Sequence, residues 1–191
     1  MELKAQLEDV LTGIENSDDL NKSIETCLKR AFQITDENYE KMYPKESKQC
    51  GSTAVFCLFV GNKLYIANLG DARAILSRSG VALDLSVDHK AKRADEQHRI
   101  KSQGGYIVYG RVLGRLAISR AFGDFDCKNI EMNVTGEDGD NPTEEKVLRN
   151  FIMSEPEIRV VDLFPKTDDF IILASDGLYD RFSSQHCVKF V

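Results

Sequence analysis

The stretch DDFIILASDGLYD, residues Asp168 to Asp180, carries the sharpest change of texture in the chain. Phe170 to Ala174 is a short, nearly continuous apolar run with two adjacent isoleucines. Bounded by polar residues, it predicts a strand buried on both faces, with a buried helical segment as the alternative that periodicity leaves open. The run ends at Ser175-Asp176-Gly177, where glycine permits a sharp turn and a carboxylate stands at the strand's C-terminal edge. Asp180 follows Asp176 at i+4, so one helical turn brings both carboxylates onto one face. Two acids at a strand end suit a hard cation such as Mg²⁺ or Mn²⁺, which prefers oxygen ligands. Asp-Gly is also an ordinary turn dipeptide, and Asp180 also suits a helix cap.

Working outward, the whole chain of 191 residues is long enough for one domain with a real core, and 42% hydrophobic against 29% charged residues is a globular balance. A net charge of −6 argues against nucleic acid or an anionic membrane as the main partner. No apolar run reaches spanning length, and the opening MELKAQLEDV does not read as a signal peptide. The five cysteines are odd in number, scattered and without a CxxC pair, which predicts reduced thiols in a cytoplasmic protein, the nucleus remaining open. His89, His98 and His186 have no zinc-ligand spacing.

Leu3, Leu7, Val10, Leu11 and Ile14 predict a first amphipathic helix ending near Asn16. Ser17 suits the cap of a second, whose stripe is Leu20, Ile24, Leu28, Ala31, Phe32 and Tyr39. From Thr53 to Ser86 a turn signal roughly every ten residues predicts a β-meander in a sandwich or antiparallel sheet. Within it Lys63–Leu69 alternates, with Leu64 and Ile66 on one face and Tyr65, Ala67 and Leu69 on the other. Arg93 to Gln103 predicts a helix stopped by Gly104-Gly105, followed by β-like runs at Tyr106–Tyr109 and Val112–Ser119. Asp126 to Asn150 reads as a long acidic loop, of a length that is commonly functional or mobile. Its Asp138-Gly139-Asp140-Asn141 run lacks the glycine and glutamate placement of an EF-hand. Phe151–Leu163 reads as strand interrupted by Pro156, hence an edge or a bend.

Eight motifs in order resemble the type 2C metal-dependent protein serine/threonine phosphatases. They are Gly51-Ser52-Thr53-Ala54, Asn68-Leu69-Gly70-Asp71-Ala72-Arg73, Asp88-His89-Lys90, Glu96…Arg99-Ile100, Gly104-Gly105, Leu116 through Phe125, Glu155-Pro156-Glu157 and Ala174 through Asp180. Tyr179 departs from the pattern, which more often has Trp there. The resemblance implies an α+β domain, an antiparallel β-sandwich flanked by helices with a metal site in a cleft at one end. Residues 1–48 would be its helical segment and residues 50–191 the sandwich portion. It also implies hydrolysis of phosphoserine and phosphothreonine in a phosphoprotein by Mg²⁺- or Mn²⁺-activated water. By position Asp176 is similar to a ligand of the main two-metal centre. Asp71 and Asp180 are similar to carboxylates that join Asp176 in holding an additional, weaker cation. Asp124 receives no coordination role, and a turn or cap fits it as well. His89 and Lys90 are expected to anchor a strand-to-helix connection, and Arg120 to be a buried ion-pair partner or a substrate contact.

Family members also carry an early glutamate, a phosphate-binding arginine, an Asp-Gly-His-Gly block and a late Asp-Asn motif, none of which appears here. The expectation is therefore a weak or partial metal site and a chain weak or inactive on its own. The alternatives are a pseudophosphatase that binds a phosphoprotein or kinase, and an enzyme completed by ligands from another chain. Exposed sheet edges would favour homodimerisation, with the N-terminal helices exchanged as one route. If Asp71, Asp176 and Asp180 converge at about 5 Å, each pair repels by roughly 3 kcal/mol at an effective dielectric near 20. A cation must then bind, an acid take a proton, or the loop open.

Overall fold

The computed structural model describes residues 17–136 and 143–191. The helix expected over Leu3–Ile14 and the tip of the acidic segment lie outside them. The first described helix, α1 (Ser17–Met42), ends two residues before Pro44, which cannot continue it. Its stripe works as the spacing requires: Ile24, Leu28 and Phe32 are buried.

A two-residue ladder pairs β1 (Gly51–Ser52) with β8 (Phe122–Gly123), and two three-stranded antiparallel sheets form the centre. One has the order β11-β3-β2, from β2 (Ala54–Val60), β3 (Lys63–Leu69) and β11 (Glu157–Asp162). The other has the order β12-β4-β5, from β4 (Arg73–Arg78), β5 (Val81–Asp84) and β12 (Asp168–Ala174). The expected meander is thus two hairpins that part at Gly70-Asp71, one to each sheet, which is the sandwich outcome. Ser79 and Gly80 both have positive φ, the conformation that a two-residue type I′ turn between β4 and β5 demands.

Strand alternation builds three apolar layers. Leu64 and Ile66 of β3 meet Ala74 and Leu76 of β4 between the sheets. Tyr65, Ala67 and Leu69, on the other face of β3, pack under Ile24, Leu28 and Phe32 of α1. Ile75 of β4 points the opposite way, to Cys187 and Val188 of a C-terminal helix, α4. That helix spans Ser184–Phe190 and is capped by Ser183, whose hydroxyl accepts the His186 N–H at 3.3 Å. The architecture is helix, sheet, sheet, helix, and the α+β sandwich expectation holds.

A second core lies beside the sandwich under α2 (Ala94–Ser102), around Ile100, Val112, Phe151 and Ile152. Gly104, with φ +84, follows the helix end, and the Gly105 N–H donates to the Ile100 carbonyl at 2.9 Å. Asp36 of α1, itself buried, ties the sandwich to this region. It accepts from the Gly123 N–H and from the buried Lys128 ammonium, each at 2.7 Å.

Three expectations need correction. The strand over Phe170–Ala174 has apolar neighbours on both faces, Ile171 towards the sheets and Phe170 and Ile172 towards α4. It is nevertheless an outer strand, none of its side chains is fully enclosed, and Leu173 is 47% exposed. The run Val112–Ser119 is mostly not strand. β6 (Ile107–Val108) pairs with β7 (Arg111–Val112), and positive φ at Leu113 and Gly114 then turns the chain. The described part of the acidic segment Asp126–Asn150 is not a loop: β9 (Ile130–Gly136) and β10 (Thr143–Arg149) pair as antiparallel strands. Ile130 and Met132 alternate with polar residues and pack on the second core, a period-2 signal hidden by acidic composition. Pro156 sits just before β11, an edge strand, as its ring predicts. Among the described residues no helix is long and apolar enough to cross a membrane.

Candidate functional site

Ala174, the last residue of β12, stands opposite Arg73, the first of β4. The β3–β4 turn, with Asp71, and the segment after β12, with Asp176 and Asp180, therefore leave the sandwich at the same end.

The turn that carries Asp71 requires Gly70. Its φ is +95, and an added Cβ would come within 2.3 Å of the Thr53 methyl carbon. His89 pins this turn from both sides of the Gly70 residue. The Gly70 N–H donates to Nδ1 at 3.1 Å, and the His89 N–H donates to the Gly70 carbonyl at 2.9 Å. Nε2 then carries the ring proton and donates to Glu157 at 3.1 Å. Burial, followed by the charges of Arg120 and Arg93, lowers the His89 pKa to about 4, so the ring is neutral at pH 7. His89 is thus the anchor that its motif implied.

Lys90, the next residue, does more than anchor. Its ammonium donates to Oδ2 of Asp71 in a short ion pair, while its backbone bridges to Ile118. Burial alone would lower its pKa. The bond to Asp71 and the charges of Asp71, Asp88 and Asp180 outweigh that and raise it. Asp71 is only 8% exposed, so its carboxylate depends on this cation. Asp88, the residue before His89, accepts a two-pronged bond from Arg73, Nε and one terminal nitrogen each at 3.0 Å.

Asp176 and Asp180 lie on the single turn α3 (Asp176–Tyr179) and the residue after it, and the Asp180 N–H donates to the Asp176 carbonyl at 2.7 Å. Both are exposed, and Asp180 lies close enough to Lys90 for its charge to be felt there. Tyr179, between them, clamps the turn to the sandwich. The Arg73 guanidinium lies 4.7 Å from its ring centroid, and its hydroxyl donates to the Arg73 carbonyl at 3.1 Å. Burial, above all, pushes the phenol up to about 12.

These residues can be tested against the cation that the resemblance implies. The donor chemistry is right, since carboxylates suit Mg²⁺ and Mn²⁺. The arrangement is not: among the described residues no group of three or more His, Cys, Asp or Glu is placed to hold a metal ion. Asp71 already has Lys90. Placed in this way the acids do not fit a bound ion. The Lys90 ammonium supplies positive charge beside Asp71 and feels the charge of Asp180.

The remaining candidates sit in structural roles. Asp124 has φ 54 and opens a 3₁₀ turn (Phe125–Cys127), and its N–H donates to the Cys50 carbonyl at 3.1 Å. Its carboxylate lies so close to Gly51 that an added Cβ would meet Oδ2 at 2.1 Å. Arg120 is an ion-pair partner: it bonds Glu96 through two nitrogens, at 2.6 and 3.1 Å, and the Glu155 carbonyl at 3.0 Å. Glu96 is fully enclosed and also bonds Arg99 at 2.9 Å. Its Arg93 and Arg99 neighbours, at i−3 and i+3, were visible in the sequence; the engagement of Lys90 with Asp71, 19 residues away, had no local signal.

Residues 3–191 match the family described as Protein phosphatase 2C. The chain is 36% identical over 182 residues to "Probable protein phosphatase 2C 11" of Arabidopsis thaliana, covering 94% of this chain and 43% of that protein. It is 39% identical over 165 residues to "Protein phosphatase 2C homolog 2" of Hypocrea jecorina, covering 86% of this chain and 34% of that protein. The chain thus spans less than half the length of these curated relatives. Among solved structures, a serine-threonine phosphatase 2C from Toxoplasma gondii superposes with a TM-score of 0.74 at 20% identity, over 99% of this chain and 63% of that one. A C. elegans sex determining protein gives a TM-score of 0.73 at 25% identity, over 98% of this chain and 41% of that one. The sandwich, the paired sheets and the order of the motifs agree with these likenesses, and the chain belongs to the protein phosphatase 2C family.

Proposed function

We propose that this chain is part of a phosphoserine and phosphothreonine phosphatase that depends on Mg²⁺ or Mn²⁺, and that on its own it is weak or inactive towards phosphoproteins. Membership of the family supports the reaction class. The observation that carries the second half is the ion pair between Asp71 and Lys90. Phosphoryl transfer needs an activated nucleophile and positive charge on the phosphoryl oxygens. Here Lys90 and Arg73, the cations in contact with the site's acids, are each committed to an aspartate. Asp176 and Asp180 are the acids left open to solvent. A pseudophosphatase module that holds a phosphoprotein is the second reading, favoured by the same pair, because binding does not require Asp71 to be free.

The test is hydrolysis of a phosphothreonine peptide by the purified chain with Mn²⁺, beside Asp176→Asn. Turnover no higher than in that variant is expected. Metal-dependent turnover that Asp176→Asn abolishes would overturn the inactive reading. Retention of the peptide without turnover would favour the binding module.

A further inference from the structure

We propose that β2 is a self-complementary edge, and that the chain forms a two-fold dimer in which β2 pairs antiparallel with β2 of a second copy about Cys57.

Among the described residues β2 pairs with β3 on one side and with no strand on the other. An open edge is a row of unpaired N–H and C=O groups, and folded proteins guard it with charge, proline, a bulge or a cover. The other three outer strands of the two central sheets are guarded in these ways. β5 has only four residues, and Gln185 of α4 covers it, accepting the Ala82 N–H at 3.0 Å and donating to the Gly80 carbonyl at 2.9 Å. β11 carries Glu157, Arg159 and Asp162. β12 opens on Asp168 and Asp169, and its register breaks between Asp168 and Phe170. β2 has none of these devices. It is AVFCLFV, seven apolar residues in unbroken register with β3. None of the seven is buried, whereas six of the seven in β3 are, and Phe59 is 59% exposed.

The occupant follows from the order of residues in the strand. Seven is an odd number, so Cys57 falls on the axis when β2 pairs with its own copy. Val55 then meets Phe59 of the second copy, Phe56 meets Leu58, and Ala54 meets Val60. No charge faces a like charge, the usual obstacle when identical strands pair. Opposed residues share a face, so both apolar layers continue across the axis. Val55 and Cys57 belong to the layer between the sheets, and Ala54, Phe56, Leu58 and Val60 to the layer under α1. Phe59 shares a cleft with Phe170 and Ile171 of β12, so the same pairing closes the open side of the sandwich. A strand with charge on either face would satisfy the backbone groups but break one of the two layers.

Directly opposed Cα atoms stand about 4.5 or 5.5 Å apart, and either spacing admits a disulfide. The pairing therefore has a covalent signature. The full chain is prepared with Cys50→Ser, which removes the exposed thiol, and oxidised with copper–phenanthroline. Two Cys57 thiols give up two protons and pass two electrons to copper(II) as the S–S bond forms. A disulfide-linked dimer is expected, and none when Cys57→Ser is added. Without oxidant, sedimentation should show a dimer at micromolar concentration. Phe59→Lys, at a position exposed enough to accept lysine in the monomer, should weaken association at least about tenfold. A monomer throughout that range overturns the proposal and leaves the edge to a strand from elsewhere. A dimer without a Cys57 linkage overturns it too, as does one whose affinity Phe59→Lys leaves unchanged. If Phe59→Lys loses the circular dichroism of the parent, the Cys57 linkage decides, since that measurement needs no change in the apolar faces beyond Cys57→Ser.

Discussion

His89 donates to one chain segment and accepts from another, with no face open to water. Burial disfavours the charged ring, and a proton on Nδ1 would also place that charge beside Arg120 and Arg93, so its pKa falls from 6.5 to about 4. The sign for stability follows directly. Between these two values the unfolded chain binds a proton that the folded chain refuses, so stability is complete above about 6.5 and is lost as the pH falls towards 4. The loss amounts to about 3 kcal/mol. Urea unfolding at pH 7 and pH 5 should show a lower midpoint at pH 5. In His89→Asn, whose Oδ1 can still accept from Gly70, the parent stability should be lower and the slope across this window absent. A slope that persists would assign it to other groups. The sequence showed His89 as an anchor, because Asp88-His89-Lys90 ends a run and precedes a helix. It could not show what the ring grips, since Gly70 and Glu157 reach it from 19 and 68 residues away. The same distance concealed the partner of Lys90.

At the scale of elements, α2 is held by the buried carboxylate of Glu96 as well as by Ile100 of its short apolar face. This carboxylate is enclosed among Arg99 and Arg120, with Arg93 at 3.8 Å, and so joins the helix to the Ser119–Arg120 stretch. Burial opposes its ionisation, but bonds from Arg120, Ser119 and Arg99 prevail and lower its pKa from 4.5 to about 2. Its contribution to stability is therefore present above about 4.5 and lost as the pH falls towards 2, a window below most of that of His89. Glu96→Gln leaves the guanidinium groups without their anion, at a cost of roughly 3–5 kcal/mol. The expected result is a large fall in urea midpoint at pH 7 together with a shallower decline below pH 4.5. A change under 1 kcal/mol, on the scale of an exposed pair, would show the cluster to be dispensable. Long elements with strong periodicity were legible: α1, β2 to β5, and the glycine stop of α2 all fall where pattern placed them. The β9–β10 pair was not, because its acidic residues outweighed the alternation of Ile130 and Met132. β12 was misjudged for a different reason. Adjacent isoleucines report apolar neighbours on two faces, and say nothing about whether a strand lies at the edge of its sheet.

For the whole molecule, the decisive strands are β3 and β4, since each serves two cores at once. Tyr65, Ala67 and Leu69 lie under α1 while Leu64 and Ile66 fill the space between the sheets. Ala74 and Leu76 share that space, and Ile75 faces α4. No helix can leave its sheet without loosening a strand whose other face is needed elsewhere, so the layers should unfold together. Leu28 is fully enclosed beneath α1, and Leu28→Ala should cost about 2–5 kcal/mol through lost burial and the cavity that remains. If the layers are coupled, the variant lowers a single transition, and helical signal by far-UV circular dichroism and tyrosine environment by near-UV circular dichroism melt at the same denaturant concentration. If α1 is instead a separable cover, its helical signal disappears first and the sheet signals keep the parent midpoint.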